Sequence, residues 1–149
     1  MNHRRTALLS AVVFAGILSA CGSGGSVATT TVPDDGTLHT VDIAMTDLQY
    51  DATSIAVAKG ATVEFRLTND GKVPHDAFVG DQAAQDAHEV EMAGMPAGHA
   101  HDMGDEGVTV QPGATAVLTY TFERSGTVQI ACHQRGHYAA GMHLTVAVA

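Results

Sequence analysis

Apolar and polar residues alternate with a period of two in a series of short segments. In Ala61–Thr68, every second residue from Val63 to Leu67 is apolar and the residues between them are polar. This alternation is typical of a strand with one buried and one exposed face. The pattern predicts about eight strands: His39–Met45, Ser54–Ala58, Ala61–Thr68, His75–Val79, Gly107–Val110, Thr115–Phe122, Thr127–Cys132 and Leu144–Val148.

Turn-forming residues separate these segments. Lys59-Gly60, Asn69-Asp70-Gly71 and Pro112-Gly113 each stand between two of the predicted strands. These residue types favour tight turns because they accept backbone conformations that other residues avoid. Short strands with little helical periodicity predict an all-β fold, an antiparallel sandwich.

Residues 81–106 interrupt the strand pattern. They include seven acidic residues, three histidines, three methionines and no basic residue, and their apolar residues are mostly alanine. This composition predicts an inserted acidic loop, with a short helix around Gln82–Glu91. Long loops in compact domains are usually functional or disordered.

The first 20 residues are typical of a signal peptide. Arg4 and Arg5 precede the 12-residue apolar run Ala7–Leu18, which is shorter than the roughly 20 residues that span a bilayer. The tetrad Leu18-Ser-Ala-Cys21 resembles the lipobox of bacterial lipoproteins, which implies a lipidated Cys21; the alternative is ordinary cleavage nearby. Residues 21–36 are predicted to be a flexible linker, and residues 37–149 a single domain.

The charge of the chain narrows the choice of partners. Sixteen acidic residues against seven basic ones give a formal net charge of −9. This balance argues against binding to nucleic acid or to anionic lipid, and it suits a basic protein partner or the accumulation of cations.

The two cysteines, Cys21 and Cys132, have two explanations. An even number of cysteines in an oxidising compartment suggests a disulfide. If Cys21 is lipidated, however, Cys132 is a lone thiol outside the cytoplasm and is open to oxidation. A bound metal would protect it.

Candidate metal ligands lie in one C-terminal segment and one upstream position. Cys132, His137 and Met142 follow each other as Cys-x4-His-x4-Met, and His75 begins an earlier predicted strand. Two imidazoles, a thiolate and a thioether form the ligand set of blue-copper electron-transfer sites. Taken singly, each residue could instead be a buried cysteine, a surface histidine or a methionine filling the core.

Two glycines and two further histidines are sequence neighbours of the candidate ligands. Gly136 and Gly141 each directly precede a candidate ligand, where glycine allows backbone conformations closed to other residues. The neighbouring His133 and His143 are expected to be exposed.

The strand pattern, the segment from Asn69 to His75-Asp76 and the loop Gly136-His-Tyr-Ala-Ala-Gly-Met142 together resemble the cupredoxins, in particular their azurin-, auracyanin- and plastocyanin-like members. The resemblance covers roughly Leu38–Ala149 without the insert. It implies a Greek-key sandwich that holds one copper ion in a type 1 site. The ligands that it implies are His75, Cys132, His137 and an axial Met142, supported by Asn69 and Asp76.

The insert 81–106 supports a second hypothesis, that of another, weakly bound copper ion. Thioether and imidazole groups suit Cu(I) and Cu(II) respectively. The alternative is a mobile acidic surface loop. The candidate ligands are Glu89, Met92, Met95, His99, His101 and Met103.

Three functions compete. The first is an extracytoplasmic, lipid-anchored and monomeric electron carrier that meets a redox partner protein near His137. The second is copper handling, for resistance, storage or delivery, through the insert. The third is an enzyme such as a multicopper oxidase. Ala131 argues against it, because such oxidases place histidines on both sides of the cysteine. The chain is therefore expected not to be an enzyme.

Overall fold

The structure is a computed structural model that describes residues 30–96 and 102–149. Within these residues it has ten strands, one α-helix (α1, Gln82–Ala93) and a short 3-10 helix, Gly104–Glu106. The strands are β1 Thr30–Val32, β2 His39–Thr46, β3 Gln49–Tyr50, β4 Ser54–Val57, β5 Thr62–Asn69, β6 His75–Gly80, β7 Gly107–Val110, β8 Thr115–Thr121, β9 Gly126–Ala131 and β10 His143–Val148. All eight predicted strands are present, with ends that differ by at most one residue.

The strands form two sheets that enclose one apolar core. One sheet has the order β1-β4-β10-β9-β6-β7 and the other the order β3-β2-β5-β8. The alternation predicted for β5 is confirmed, since Val63, Phe65 and Leu67 are fully buried. Ile130 and Leu144 bury the facing side of the larger sheet just as completely. The predicted β-sandwich is therefore correct.

The prediction that all strands pair antiparallel is wrong, because some pairs are parallel. Strands β2 and β5 pair in parallel, as do β4 and β10, and β1 and β4. The reason for the β2–β5 pair lies in the path of the chain, which leaves the smaller sheet after β3 and forms β4 in the larger one. It then returns as β5 beside β2 and in the same direction, which is the crossover that parallel strands require.

The predicted linker, residues 21–36, is partly wrong. Thr30–Val32 form β1, which adds to the edge of the larger sheet beside β4. Val32 is buried there, so the β-branched residues at the end of the predicted linker belong to the domain. The predictions for the signal peptide and for Cys21 fall on residues 1–29, outside the described part. Between residues 30 and 96 and between 102 and 149, no helix has the length and apolar character that a membrane span requires.

The predicted helix in the insert is present and two residues longer than expected. The Asp81 carboxylate caps its first turn by accepting a hydrogen bond from the Ala84 N–H at 3.0 Å. Gln85, His88 and Met92 are its buried residues, and their spacing places them on one face of the helix. Helix α1 thus packs with this face against β6 and β9.

Candidate metal centre

The ends of three neighbouring strands, β6, β9 and β10, lie at the same end of the larger sheet and bring the candidate ligands together. His75 is the first residue of β6, and Cys132 directly follows β9. Met142 directly precedes β10, and His137 lies in the connection between β9 and β10. Since β9 pairs with both β6 and β10, the sheet itself determines where these residues meet.

Two imidazole nitrogens face the thiol. The Sγ atom of Cys132 lies 3.7 Å from Nδ1 of His75 and 3.3 Å from Nδ1 of His137. The donor atoms of these three residues all lie within 4.8 Å of one another. His75 and Cys132 are fully buried, whereas His137 is partly exposed. Cys132 forms no disulfide with any cysteine of the described residues.

The donor set fits a single metal ion. A first-row ion such as zinc binds thiolate at about 2.3 Å and imidazole at about 2.0–2.1 Å. Two donors that share such an ion therefore lie within about 4.4 Å of each other. Both nitrogen–sulfur distances meet this limit. Imidazole and thiolate together suit copper in both of its oxidation states.

Backbone hydrogen bonds close the loop that carries three of the candidates. The Cys132 N–H donates to the Met142 carbonyl at 3.1 Å, and the Met142 N–H donates to the His137 carbonyl at 3.0 Å. Gly136 and Gly141 have φ angles of +82° and +92°, which confirms the predicted need for glycine at both positions. Met142 is fully buried, as the proposed axial ligand must be.

The sulfur also accepts a backbone hydrogen bond. The Asp76 N–H donates to Cys132 Sγ at 3.3 Å. The buried Tyr50 hydroxyl donates to the Asp76 carbonyl at 2.6 Å and so holds this segment in place. Hydrogen bonds to the cysteine sulfur are among the features that set the reduction potential of such sites.

Two buried polar side chains connect the ligand segments. The Asp76 carboxylate accepts hydrogen bonds from the Thr109 hydroxyl at 2.8 Å and from Gln134 Nε2 at 3.0 and 3.1 Å. Gln134 belongs to the Cys132 loop, so Asp76 joins this loop to His75. Asn69 Nδ2 donates to the carbonyls of Val73 and Val110 and thereby fixes the turn before His75. Both supporting residues named from the sequence thus lie beside the site.

Asp47 approaches the site from the β2–β3 turn. Its Oδ1 lies 3.7 Å from Nε2 of His75 and accepts a hydrogen bond from the Lys72 N–H at 2.9 Å. Gly71 lies against both side chains. A methyl group at Gly71 would come within 2.5 Å of the Asp47 oxygen and 2.9 Å of the His75 nitrogen. The sequence contained no indication of this contact.

His133 is buried, which contradicts its predicted exposure. Its Nδ1 lies 2.7 Å from a Glu89 carboxylate oxygen and its Nε2 lies 2.6 Å from Gln85 Oε1. The Gln85 side chain is held in turn, because its Nε2 donates to the carbonyls of Phe78, Gly80 and Gln129. Helix α1 is therefore attached to the ligand loop, residues 132–142, at the residue next to Cys132. His143 is exposed, as expected.

The proposed second copper site is only partly described. Glu89 is bonded to His133, and Met92 is buried in the packing of α1. His99 and His101 lie outside the described residues. The second copper therefore stays a prediction, with two of its six candidate ligands engaged elsewhere.

Burial sets the protonation of the candidate ligands. It raises the pKa of Cys132 to about 12, so the thiol is protonated at neutral pH. Burial also lowers the pKa of His75 and of His137 below the usual 6.5, which keeps both imidazoles neutral. At pH 7 the two histidines are ready to bind a metal, and the cysteine must first lose a proton.

Copper binding at pH 7 is accordingly expected to release about one proton, which comes from Cys132. Because the thiol is protonated up to about pH 12, the apparent copper affinity should rise about tenfold per pH unit above the pKa of the histidines. Calorimetric titrations in two buffers of different ionisation enthalpy measure the number of protons. Binding at pH 7 without proton release would contradict coordination by the thiol.

The comparisons with known proteins agree with this geometry. The family described as copper binding proteins, plastocyanin/azurin family, matches residues 38–149. Copper-resistant cuproprotein CopI of Rubrivivax gelatinosus is 36% identical over 105 residues, which are 70% of this chain and 62% of that protein. The chain thus spans less than two thirds of the length of this relative. CopI of Pseudomonas aeruginosa is 32% identical over 131 residues, with 70% of this chain and 72% of the relative covered.

A solved structure shows the same fold. The crystal structure of reduced auracyanin from Roseiflexus castenholzii superposes with a TM-score of 0.63 at 26% identity, over 74% of this chain and 96% of auracyanin. Residues 38–149, which the family matches, contain strands β2 to β10 and all four candidate ligands. The chain belongs to the plastocyanin/azurin family of copper binding proteins, the cupredoxins.

Proposed function

We propose that this protein binds one copper ion in a type 1 site and uses it to transfer single electrons. His75, Cys132 and His137 are the main ligands, with Met142 in the axial position. The observation that carries the proposal is the convergence of two imidazole nitrogens and a buried thiol within 4.8 Å. Because Cu(II) prefers imidazole and Cu(I) prefers soft sulfur, this set suits both states, and little has to move when an electron arrives.

His137 supports the proposed contact with a redox partner. His137 is partly exposed, whereas His75, Cys132 and Met142 are buried. The shortest path for an electron from the protein surface to the site therefore passes through His137. The net charge of −9 suits a basic partner protein. Catalysis is not part of the proposal, because Ala131 occupies the position before Cys132 where a second histidine would be needed.

A titration with Cu(II) tests the proposed site. We expect an intense thiolate-to-copper absorption band that saturates at about one equivalent, with narrow copper hyperfine splitting in the EPR spectrum. A pale solution with ordinary hyperfine splitting would mean that Cys132 does not bind as proposed. Copper handling by the insert would then be the better explanation of the sequence.

Copper resistance is the second candidate function. The relatives from Rubrivivax gelatinosus and Pseudomonas aeruginosa carry the name copper-resistant cuproprotein, and this name favours copper handling here. The two functions differ in copper exchange, since a carrier retains its copper through many redox cycles and a handling protein releases it. Rapid transfer from the reduced protein to a Cu(I) chelator would favour handling, and retention over hours would favour the carrier.

A second, weakly bound copper ion at the insert belongs to the handling hypothesis. With Glu89 and Met92 engaged elsewhere, the remaining candidates are Met95, His99, His101 and Met103. Replacing Met95 and Met103 with leucine should remove copper beyond the first equivalent and leave the blue band intact. Unchanged total copper would refute this site.

We also propose that the protein acts outside the cytoplasm, as a monomer held at the membrane by a lipid on Cys21. The tetrad Leu18-Ser-Ala-Cys21 supports this location. A Cys21→Ser form that is cleaved normally and still fractionates with membranes would contradict it.

A further inference from the structure

One ring nitrogen of a proposed ligand has no hydrogen-bond partner among residues 30–96 and 102–149. His75 turns Nδ1 towards the Cys132 sulfur, and its other ring nitrogen, Nε2, is buried with no partner from these residues within hydrogen-bonding distance. A buried N–H without an acceptor is costly, and metal-binding histidines usually donate this second N–H to a carboxylate or a carbonyl. The surroundings of Nε2 therefore decide how well His75 is oriented.

A carboxylate faces this nitrogen. Asp47 Oδ1 lies 3.7 Å from His75 Nε2, just beyond hydrogen-bonding distance, and the Asp47 side chain is half-exposed. The Lys72 N–H donates to the same oxygen and holds the carboxylate over the turn before His75. This hydrogen bond lowers the pKa of Asp47 below its usual value, so the carboxylate is ionised at neutral pH.

The backbone around Asp47 also fixes its position. Asp47 and Leu48 form the two-residue connection between β2 and β3, whose register pairs Thr46 with Gln49. Leu48 has a φ angle of +68°, a conformation that residues other than glycine rarely adopt. On the other side, Gly71 leaves no room for a side chain between Asp47 and His75. The carboxylate is thus confined to a site beside Nε2.

We propose that Asp47 is a positioning residue of the metal site. It holds His75 as the tautomer with the proton on Nε2, so that the Nδ1 lone pair faces the metal. Its negative charge also favours Cu(II) over Cu(I), because the oxidised ion carries the larger positive charge. This role rests on the proposed copper site, but the tautomer is a property of the metal-free protein.

The test has one readout without copper and one with it. In the purified metal-free protein labelled with 15N-histidine, NMR measures the tautomers of His75. We expect the Nε2–H form in the wild type and a shift of the tautomer ratio by about tenfold towards Nδ1–H in Asp47→Ala. In the copper-loaded protein, Asp47→Ala should raise the ratio of Cu(I) to Cu(II) affinity about tenfold, which corresponds to about 59 mV in the one-electron potential.

Two further variants separate charge from hydrogen bonding. Asp47→Asn keeps an oxygen acceptor and should retain the Nε2–H tautomer, while the potential still rises. Asp70→Asn removes an equal charge from an exposed side chain of the neighbouring turn and should change neither readout. An Nδ1–H tautomer in the wild type, or the same tautomer ratio in wild type and Asp47→Ala, would overturn the proposal. Since the NMR readout needs no copper, this outcome differs from a missing blue band, which would refute the copper site itself.

Discussion

Replacing Cys132 with serine is expected to abolish the thiolate-to-copper absorption band and to weaken copper binding by at least about 100-fold. A hydroxyl group is a poor ligand for Cu(I) and cannot supply the soft sulfur on which the type 1 site depends. Loss of a group one sphere further from the metal already costs 10- to 100-fold in affinity, so loss of the central ligand should cost more. Visible spectroscopy and a competition titration with a copper chelator measure both effects.

The metal-free Cys132→Ser protein should still fold. Serine is close to cysteine in size, and its hydroxyl can accept the hydrogen bond that the Asp76 N–H gives to the sulfur. We expect its free energy of unfolding to lie within about 2 kcal/mol of the wild-type value. His143→Ala is the matched control, because this exposed residue follows Met142 and should leave the blue band unchanged. A blue band in Cys132→Ser would contradict the proposed ligand set.

The second large effect is expected at His133, whose replacement by alanine should lower the free energy of unfolding by about 2 to 4 kcal/mol. The change removes a buried ring and leaves the oxygens of Gln85 and Glu89 without their imidazole partner. The ring also contacts Tyr138 and His88 at centroid distances of 4.7 and 4.9 Å, and these contacts are lost too. Denaturant unfolding of the metal-free protein, followed by circular dichroism, measures the change.

Copper retention should change together with stability. Because His133 adjoins Cys132, detachment of α1 loosens the ligand loop, and we expect a copper affinity 10- to 100-fold lower. Val90→Ala is the control on the same helix, since Val90 is 77% exposed and its loss should cost no more than about 0.5 kcal/mol. If His133→Ala unfolds like the wild type, the hydrogen bonds to Gln85 and Glu89 do not anchor the helix.

The sequence predicted the strands and the ligand loop well because both depend on local patterns. The β7 strand, Gly107–Val110, was bounded correctly by its apolar residues and the following Pro112-Gly113 turn. The spacing from Cys132 to Met142 lies within one hairpin connection, so the geometry of the loop follows from neighbouring residues. Alternation does not reveal the direction of a partner strand, which is why the parallel pairs were missed. Strand β1 has three residues, too few to show a period.

Contacts between segments that are distant in the chain could not be predicted from the sequence, for a different reason. Asp47 meets His75 only because the β2–β3 turn and the turn after Asn69 lie side by side across two paired strands. The burial of His133 depends on where α1 packs, and nothing in the composition of the insert indicates its docking partner. The distance between a carboxylate and an imidazole follows from strand register, which a single sequence leaves undetermined.

The place where residues 81–106 enter the fold has an evolutionary consequence. They connect β6 and β7, which are adjacent antiparallel strands, so a turn of a few residues would close the same hairpin. Because closure entropy grows only with the logarithm of loop length, extending a four-residue turn to this length costs about 1.7 kcal/mol. Insertions and deletions at this point leave the register of both strands intact. Natural selection can therefore vary the length of this connection without changing the pairing of β6 with β7, and a change within α1 reaches the copper ligands only through its contacts with His133.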